Sequence, residues 1–403
     1  MPTVPLPPPL DLTDPAVVLD PYPAFDAARA VAPVQWHEGL GLWLAFSHAE
    51  SNAVLRDRRL GRIWTDREPT DRFGSFNLVH RNAILEMEPP HHTRLRRLIS
   101  KAFARGHVER LRPWVVELAD RLVDELADAS ADGTPVDLLT GMAEQLPVAV
   151  IAELLGVPES DRALLRPWSN AIVKMYEYGR TPDTEDAAER AADEFVAYLR
   201  ELAAERRRAP GDDLVSHLVG VRDAGDALTE DELVTTCILL LNAGHEATVN
   251  VTGNGLLALL QHPDELARLR ADPALLPTAI EELMRFDSPL QLFERTATED
   301  VELGGVVVER GQKVAALLGS ANRDPAVFQA PDTLDVGRTD NPHVSFGAGI
   351  HFCIGAPLAR VELQAGFGAL LARTSSIELG GEAVRRPEFV IRGLAELPVV
   401  LRR

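Results

Sequence analysis

The stretch SFGAGIHFCIGAPLAR, residues 345–360, contains one of the two cysteines of a 403-residue chain. Glycines, two phenylalanines and a histidine surround Cys353, and the residues that follow read as a helix with Pro357 in its first turn, where proline is tolerated. Amide N–H groups and the positive end of the helix dipole at such a helix start favour a thiolate. Cys353 is therefore a candidate metal ligand or nucleophile.

A lone cysteine can be a packing residue, a metal ligand or a nucleophile. A free cysteine is usually a small buried hydrophobe, and this interpretation suits Cys237 in the apolar run TTCILLLN. Around Cys353 no second cysteine or histidine pair has zinc-ligand spacing, and GAGIHFCIG is not the dinucleotide fingerprint. A nucleophilic cysteine would need a base within reach, and the direction of His351 is not readable from sequence. What remains is a thiolate ligand to a single metal, in a loop whose glycines let a flat group come close.

Length and composition set the class of protein. The chain exceeds the usual single-core limit of roughly 250–300 residues, so two lobes are expected. Apolar residues make up 46% and charged residues 25%, as in soluble globular enzymes, and the net charge of −20 argues against general nucleic-acid binding. Two cysteines indicate a reducing compartment, and neither a signal peptide nor a long apolar span is recognisable. We expect a soluble, cytoplasmic protein.

Periodicity predicts a mainly α fold. Residues 34–47 read as a hairpin, residues 60–90 as a long loop without periodicity, and residues 91–260 as mostly helical. We expect one domain over residues 1–403. Its helical lobe would cover about 90–288 and 354–373, and its β-rich parts about 30–60, 290–320 and 376–403.

Four motifs in one order resemble the cytochrome P450 family, the haem-thiolate monooxygenases. The pattern F-x-x-G-x-x-x-C-x-G is similar to that family's cysteine-ligand loop. EELMR, AGHEAT in the middle of a long helix, and MEPPHHTRLRR, which resembles a helix of the soluble bacterial members, accompany it. The resemblance extends from about residue 20 to RGLAELPVV near the end. The residues that carry the cysteine-loop pattern are Phe346, Gly349, Cys353 and Gly355.

The resemblance implies a P450-like fold with haem b between a long central helix and the cysteine-ligand loop. Cys353 would be the metal ligand, with Phe346 and Gly355 beside it, and Ala243 and Gly244 would border the haem. Cationic and imidazole groups would hold the anionic propionates, and the residues implied are His92, Arg96, Arg295 and His351. Glu282 and Arg285 would form a buried structural pair.

The central helix is predicted over residues 229–261, crossing the interior, with an interruption at Gly244–Glu246. The resemblance implies a locally opened helix there, with Glu246 as the acid that feeds protons inward. Most family members place a threonine after that acid, whereas this chain has Ala247 and then Thr248. Three accounts remain: Thr248 or a water does the work, a substrate hydroxyl does it, or the chemistry differs. Some members with alanine here are polyketide hydroxylases.

A basic strip lies in residues 91–112, where seven cationic residues accompany a single acid, Glu109. The strip on an acidic protein indicates docking of an acidic partner, for which the resemblance implies a ferredoxin-type electron donor and its reductase. The alternative interpretation is a solvated basic face. Its members are Arg94, Arg96, Arg97, Lys101, Arg105, Arg110 and Arg112.

The resulting hypothesis is a monooxygenase that inserts one oxygen atom from O2 into a small, largely apolar or hydroxyl-bearing molecule, such as a macrolide or polyketide product. Leu240, Ala247, Leu290 and Leu394 would line the substrate pocket, although core packing explains such residues equally well. The alternatives are a peroxide-driven or oxidative-coupling haem enzyme and a haem-thiolate protein without catalysis.

Overall fold

Helices dominate the computed structural model, which describes residues 10–100, 105–223 and 228–403, so the mainly α architecture is confirmed. The helices are α1 (Pro15–Leu19), α2 (Tyr22–Val31), α3 (His48–Arg56), α4 (Gly74–Arg81), α5 (His91–Ser100), α6 (Arg105–Ala129), α7 (Gln145–Leu155), α8 (Arg162–Val173), α9 (Pro182–Arg208), α10 (Leu214–Asp223), α11 (Glu230–Gln261), α12 (Pro263–Ala271), α13 (Leu276–Phe286), α14 (Leu318–Ala321) and α15 (Ala356–Arg373). The strands are β1 (Val34–His37), β2 (Leu42–Ala45), β3 (Leu60–Gly61), β4 (Val136–Asp137), β5 (Leu292–Ala297), β6 (Val301–Leu303), β7 (Val306–Val308), β8 (Lys313–Leu317), β9 (Ser376–Leu379), β10 (Val384–Arg385), β11 (Leu394–Glu396) and β12 (Pro398–Arg402). No helix among these residues is long and apolar enough to cross a membrane.

The described chain divides into two compact units. The β-rich unit combines residues 10–62, 253–353 and 383–396, and the helical unit combines residues 63–252, 354–382 and 397–403. The assignment of both to a single domain stays a prediction.

The β-rich unit is built on a five-stranded sheet with the order β1-β2-β8-β5-β3. β2 and β8 run parallel, with Trp43 opposite Val314, and the other neighbours are antiparallel. Buried aliphatic residues from the strands and from α3 form one core, which includes Val34, Val54 and Val314. Val344 and Ala348, in the segment that leads to Cys353, pack in the same core.

The helical unit packs α15 along α6 and α8 along α9, and a small sheet has the order β4-β12-β9. The sequence of α9 shows why such a long helix forms. Thr181 caps it by accepting a hydrogen bond from the Thr184 N–H at 3.2 Å, and Pro182 fits its first turn. Acids stand in its first turn and arginines in its last, which complements the helix dipole.

The central helix α11 is continuous from Glu230 to Gln261, so the predicted interruption at Gly244–Glu246 is wrong. A glycine inside a helix costs only about 0.5–1 kcal/mol relative to alanine. The turns on both sides of Gly244 carry buried aliphatic side chains such as Leu241 and Val249, and their burial outweighs that cost.

The expectation of an unstructured loop over residues 60–90 is also wrong in part, because α4 forms inside it. The N–H groups of Ser75 and Phe76 donate to the two carboxylate oxygens of Glu189 on α9, at 2.8 and 2.9 Å. A carboxylate at a helix N-terminus satisfies orphan donors and complements the dipole. The cap comes from a distant part of the chain, so local sequence patterns do not reveal it.

Candidate active site

The loop around Cys353 is a compact turn of the β-rich unit. The Cys353 N–H donates to the Phe346 carbonyl oxygen at 3.0 Å, and the Gly347 N–H donates to the Val344 carbonyl oxygen at 2.8 Å. Gly349 has a φ of 68°, and a Cβ there would lie 2.5 Å from the Leu55 carbonyl oxygen. Only glycine fits this close approach, so the pattern that identifies the loop also determines its shape.

The two cysteines occupy different environments, and neither forms a disulfide. Cys237 is fully buried inside α11, and burial raises the pKa of its thiol to about 12. It therefore stays a protonated thiol, as expected of a small buried hydrophobe. Cys353 is partly exposed, and α15 begins shortly after it at Ala356. Of the two, Cys353 has the accessibility that a metal ligand requires.

One face of α11 is exposed although the helix is buried on its other faces. Ala243 and Ala247, one turn apart, are exposed, and Gly244 is partly exposed. A Cβ on Gly244 would have its nearest neighbour, Ile151 Cδ1, at 3.7 Å, so crowding is not the reason for this glycine. A stripe of such small residues lets a flat cofactor lie close to the helix backbone. A face of this kind can lie against the flat surface of a haem.

The residues predicted to bind the cofactor divide between the two units. In the helical unit His92 is buried and Arg96, one turn along α5, is partly buried. In the β-rich unit Arg295 is buried, with its Nη1 donating to the Glu294 carbonyl oxygen at 2.9 Å, and His351 is partly buried. Cations and imidazoles with little solvent contact suit anionic carboxylates such as propionates. Their binding roles remain predictions.

The acid predicted for proton entry, Glu246, is buried in α11. Nδ1 of the neighbouring His245, also buried, lies 3.7 Å from Glu246 Oε1. Asn242 and Asn250 stand one turn before and after Glu246, and both are buried. No described residue offers a hydrogen-bond partner to Asn242 Oδ1 or to either amide atom of Asn250. Buried amides of this kind usually hold internal waters. Asn242, Glu246 and Asn250 thus form a polar stripe along one face of α11.

A second buried acid, Glu362 on α15, was missed by the sequence interpretation. Burial raises the pKa of the Glu362 carboxyl to about 8, and an interaction with the Thr248 side chain opposes part of that rise. Thr248 is itself buried, and its carbonyl oxygen accepts a hydrogen bond from the Thr252 hydroxyl at 2.9 Å. The sequence did contain a signal for this buried acid. Glu362 lies between two apolar residues, Val361 and Leu363, both of which are buried.

Glu282 and Arg285 of α13 are both fully buried and form two hydrogen bonds of 2.7 Å, from Arg285 Nε and Nη2. Arg285 Nη1 donates to the Asn322 carbonyl oxygen at 2.9 Å, and Arg338 Nε donates to Glu282 at 3.0 Å. The pair thus ties α13 to the segment that precedes the cysteine loop, within the β-rich unit.

The residues predicted for the substrate pocket do not share one environment. Leu240 is buried and Ala247 is exposed on α11, both in the helical unit. In the β-rich unit Leu394 is buried, and Leu290 is partly buried and forms an isolated bridge with Ile391. Of the four, Ala247 is the residue whose accessibility favours contact with a ligand.

The basic strip is partly neutralised inside the helical unit. Arg94 forms an ion pair with Glu232, and Arg112 Nε forms one with Glu109 at 2.7 Å. Arg97 is exposed. Lys101 lies outside the described residues, as does the side chain of Arg105. The charge available to a partner is therefore smaller than the sequence suggests.

Comparison with known proteins decides the family. A sequence model described as Cytochrome P450 matches residues 64–381. The chain belongs to the cytochrome P450 family. It is 42% identical over 392 residues to cytochrome P450 monooxygenase PikC of Streptomyces venezuelae, covering 95% of this chain and 92% of that protein.

Solved structures confirm the P450 fold. The crystal structure of P450BioI in complex with hexadec-9Z-enoic acid ligated acyl carrier protein has a TM-score of 0.91 and 37% identity, over 96% of this P450 and 100% of that chain. The bacillaene polyketide synthase cytochrome P450 PksS of Bacillus subtilis 168 has a TM-score of 0.88 and 35% identity, over 98% and 100%. This P450 is a haem-thiolate monooxygenase, and such enzymes need redox partners and a small-molecule substrate.

Proposed function

We propose that this P450 binds haem b through the Cys353 thiolate and inserts one oxygen atom from O2 into a small, largely apolar or hydroxyl-bearing molecule. The single observation that supports it most is the partly exposed Cys353 in a glycine-restricted turn, whereas the other described cysteine, Cys237, is fully buried. When bound, the haem supplies the centre at which dioxygen is activated, with electron density donated by the thiolate.

The chain's own residues would hold that cofactor in three ways. Cys353 is the metal ligand, and the turn from Phe346 to Gly355 fixes its backbone. Ala243 and Gly244 offer a small-residue face of α11. The propionates would be bound through charge-assisted hydrogen bonds, and the residues proposed for this role are His92, Arg96, Arg295 and His351.

Proton delivery is assigned to Glu246 and to the pair of Thr248 and Glu362. Ala247 has no hydroxyl, and the adjacent Thr248 carries the hydroxyl nearest in sequence. Because the pKa of Glu362 is about 8, its carboxyl holds a proton near neutral pH, beside the Thr248 side chain. This arrangement supports the first of the three accounts, in which Thr248 or a water does the work of the missing threonine. The polar stripe of Asn242 and Asn250 supports internal waters next to Glu246.

The electron donor is proposed to be a ferredoxin-type protein with its reductase. Exposed Arg97 is a member of the basic strip that would bind an acidic partner. Reversal of its charge in Arg97→Glu is expected to slow reduction by ferredoxin, and more so at low salt. Arg200→Glu, on α9, makes the same change in net charge and serves as the control. The two described cysteines without a disulfide support a reducing, cytoplasmic location.

The substrate class rests on the relatives. The comparison structure PksS is named for a polyketide synthase, and macrolide or polyketide-like products are molecules of the size and polarity proposed. The second candidate is a peroxide-driven or coupling enzyme. It would turn over with hydrogen peroxide alone and would be indifferent to Arg97→Glu, whereas a haem-binding protein without catalysis would turn over under neither condition.

The deciding experiment is the absorption spectrum of the dithionite-reduced protein under carbon monoxide. We expect a strongly red-shifted Soret band in the wild type and in Cys237→Ser, and its loss in Cys353→Ser. An imidazole-type spectrum that is unchanged in Cys353→Ser would overturn the assignment of the ligand.

A further inference from the structure

Three arginines in or just before α4, Arg67, Arg72 and Arg81, differ in their ion pairs. Arg72 forms ion pairs with Glu185 and Asp186 of α9, both at 2.8 Å, and Arg81 forms an ion pair with Asp66. Among the described residues Arg67 has no carboxylate within ion-pair distance. Arg67 is partly buried, and a charge that has lost part of its hydration is normally paired, so the absence of a carboxylate partner requires an explanation.

The contacts of Arg67 fix its backbone and leave much of its guanidinium unused. Its N–H donates to Asn77 Oδ1 at 2.9 Å, and its carbonyl oxygen accepts from Asn77 Nδ2 at 3.0 Å. The guanidinium lies 5.6 Å from the centre of the Phe76 ring, and its Nη2 donates to the Met175 carbonyl oxygen at a long 3.3 Å. Its Nε is buried, and no described residue provides an acceptor for it.

A second arginine converges on the same carbonyl. Arg180 Nη1 donates to the Met175 carbonyl oxygen at 3.1 Å and to the Glu177 carbonyl oxygen at 2.7 Å. Like Arg67, it forms no ion pair with any residue that the structure describes. Burial first, and the like charge of Arg180 second, lower the pKa of Arg67, while Glu185 opposes them. Two guanidinium groups that share one acceptor repel each other. Water screens the exposed Arg180 in part, and an anion between the two groups would remove the remaining cost.

The surroundings are aromatic. His80 is stacked on Phe76 and on Trp64, with ring centres 4.1 and 4.7 Å apart. Its Nδ1 lies 2.8 Å from the Phe76 carbonyl oxygen, which can only accept, so Nδ1 carries the proton. Its Nε2 lies 3.0 Å from the Tyr176 hydroxyl oxygen. These bonds hold the aromatic groups in fixed positions next to Arg67.

We propose that Arg67 and Arg180 form a carboxylate-binding site, and that the substrate of this P450 is a largely apolar molecule with a carboxylate group. Nη1 and Nη2 of Arg67 form the end of a guanidinium that can bind a carboxylate with two parallel hydrogen bonds, because the third donor, Nε, is buried. The aromatic neighbours suit an anion carried on an apolar body better than a free, strongly hydrated phosphate. On a protein with a net charge of −20, local positive charge is required to bind any anion. The inference rests on the proposed function and narrows its substrate class.

The test uses the haem-loaded enzyme and two matched probe pairs: dodecanoic acid with methyl dodecanoate, and 2-naphthoic acid with its methyl ester. Binding is measured by the Soret shift and by calorimetry. We expect at least one acid to bind about 10-fold or more tightly than its ester, because a charge-assisted pair contributes a little over 1 kcal/mol. In Arg67→Gln this preference should disappear while the affinity for the ester stays the same. Arg67→Lys should retain part of it, because lysine keeps the charge but not the fork.

Two further variants complete the design. Arg180→Gln should reduce the preference for the acid, and the control Arg81→Gln, at an arginine with its own carboxylate, should keep it. If no acid binds more tightly than its ester, if Arg67→Gln keeps the preference, or if dodecyl phosphate binds more tightly than dodecanoate, the carboxylate site is refuted. If the carboxylate site is refuted but the reduced protein still shows the red-shifted Soret band under carbon monoxide, the proposed function is unaffected. The absence of that band refutes the proposed function itself.

Discussion

The replacement Glu362→Gln tests whether this buried carboxyl holds a proton. Glutamine has nearly the same shape and can still hydrogen-bond with Thr248, but it does not titrate. Burial raises the pKa of Glu362 from 4.5 to about 8. At about 1.4 kcal/mol per pKa unit, full ionisation of this group costs the folded state about 5 kcal/mol.

The sign of the effect follows from proton linkage. Between pH 4.5 and pH 8 the folded state keeps a proton on Glu362 that the unfolded state has lost. The free energy of unfolding therefore falls as pH rises through that window and stays low above it. Glutamine removes this dependence, so the stability of Glu362→Gln relative to the wild type should increase by about 3 kcal/mol between about pH 5.5 and about pH 9.

The assay is urea unfolding of the haem-loaded protein, followed by tryptophan fluorescence at several pH values. Glu117→Gln, at an exposed glutamate of α6, is the control and should show no such trend. If the stability difference between Glu362→Gln and the wild type does not change with pH, Glu362 is not a buried protonated carboxyl. Its role as a proton donor beside Thr248 would then be refuted.

Two further changes probe the support of the cysteine loop. Glu282→Gln leaves Arg285 buried without its counter-charge and should lower the free energy of unfolding by about 3–5 kcal/mol; a loss below about 1 kcal/mol in urea unfolding would contradict this reasoning. Gly349→Ala would place a Cβ 2.5 Å from the Leu55 carbonyl oxygen at a φ of 68°. It should therefore reduce haem content and the red-shifted carbon monoxide band, whereas Gly305→Ala, also at positive φ but with open space around it, should leave the band unchanged.

Features encoded by neighbouring residues were predictable. The central helix was expected over 229–261 and the last helical segment over about 354–373, and they begin one and two residues later, at Glu230 and Ala356. Apolar periodicity extends over many turns in such helices, so a few unfavourable residues do not obscure it. The same holds for the family assignment, because the glycines of the cysteine loop meet local steric requirements that leave a fixed pattern.

Features that depend on distant partners were not predictable. α4 forms where no periodicity is visible, because the Glu189 carboxylate of α9 caps its first N–H groups. The reverse occurs at Gly244, where the expected break is absent because the turns before and after this residue carry buried side chains. Local propensity differs by about 1 kcal/mol or less per residue, and tertiary contacts exceed it.

The sequence by itself determined the family, the cysteine that carries the chemistry and the boundaries of α11 and α15, because these depend on residue types at short spacing. Tertiary structure alone decided which ionisable groups lie in water and which lie in the protein. It placed Glu362 where burial keeps its proton, and it gave Arg72 two carboxylate partners while none of the described residues provides one for Arg67. The free energy of a charge depends on its solvation and on partners brought from elsewhere in the chain, and no local pattern encodes either.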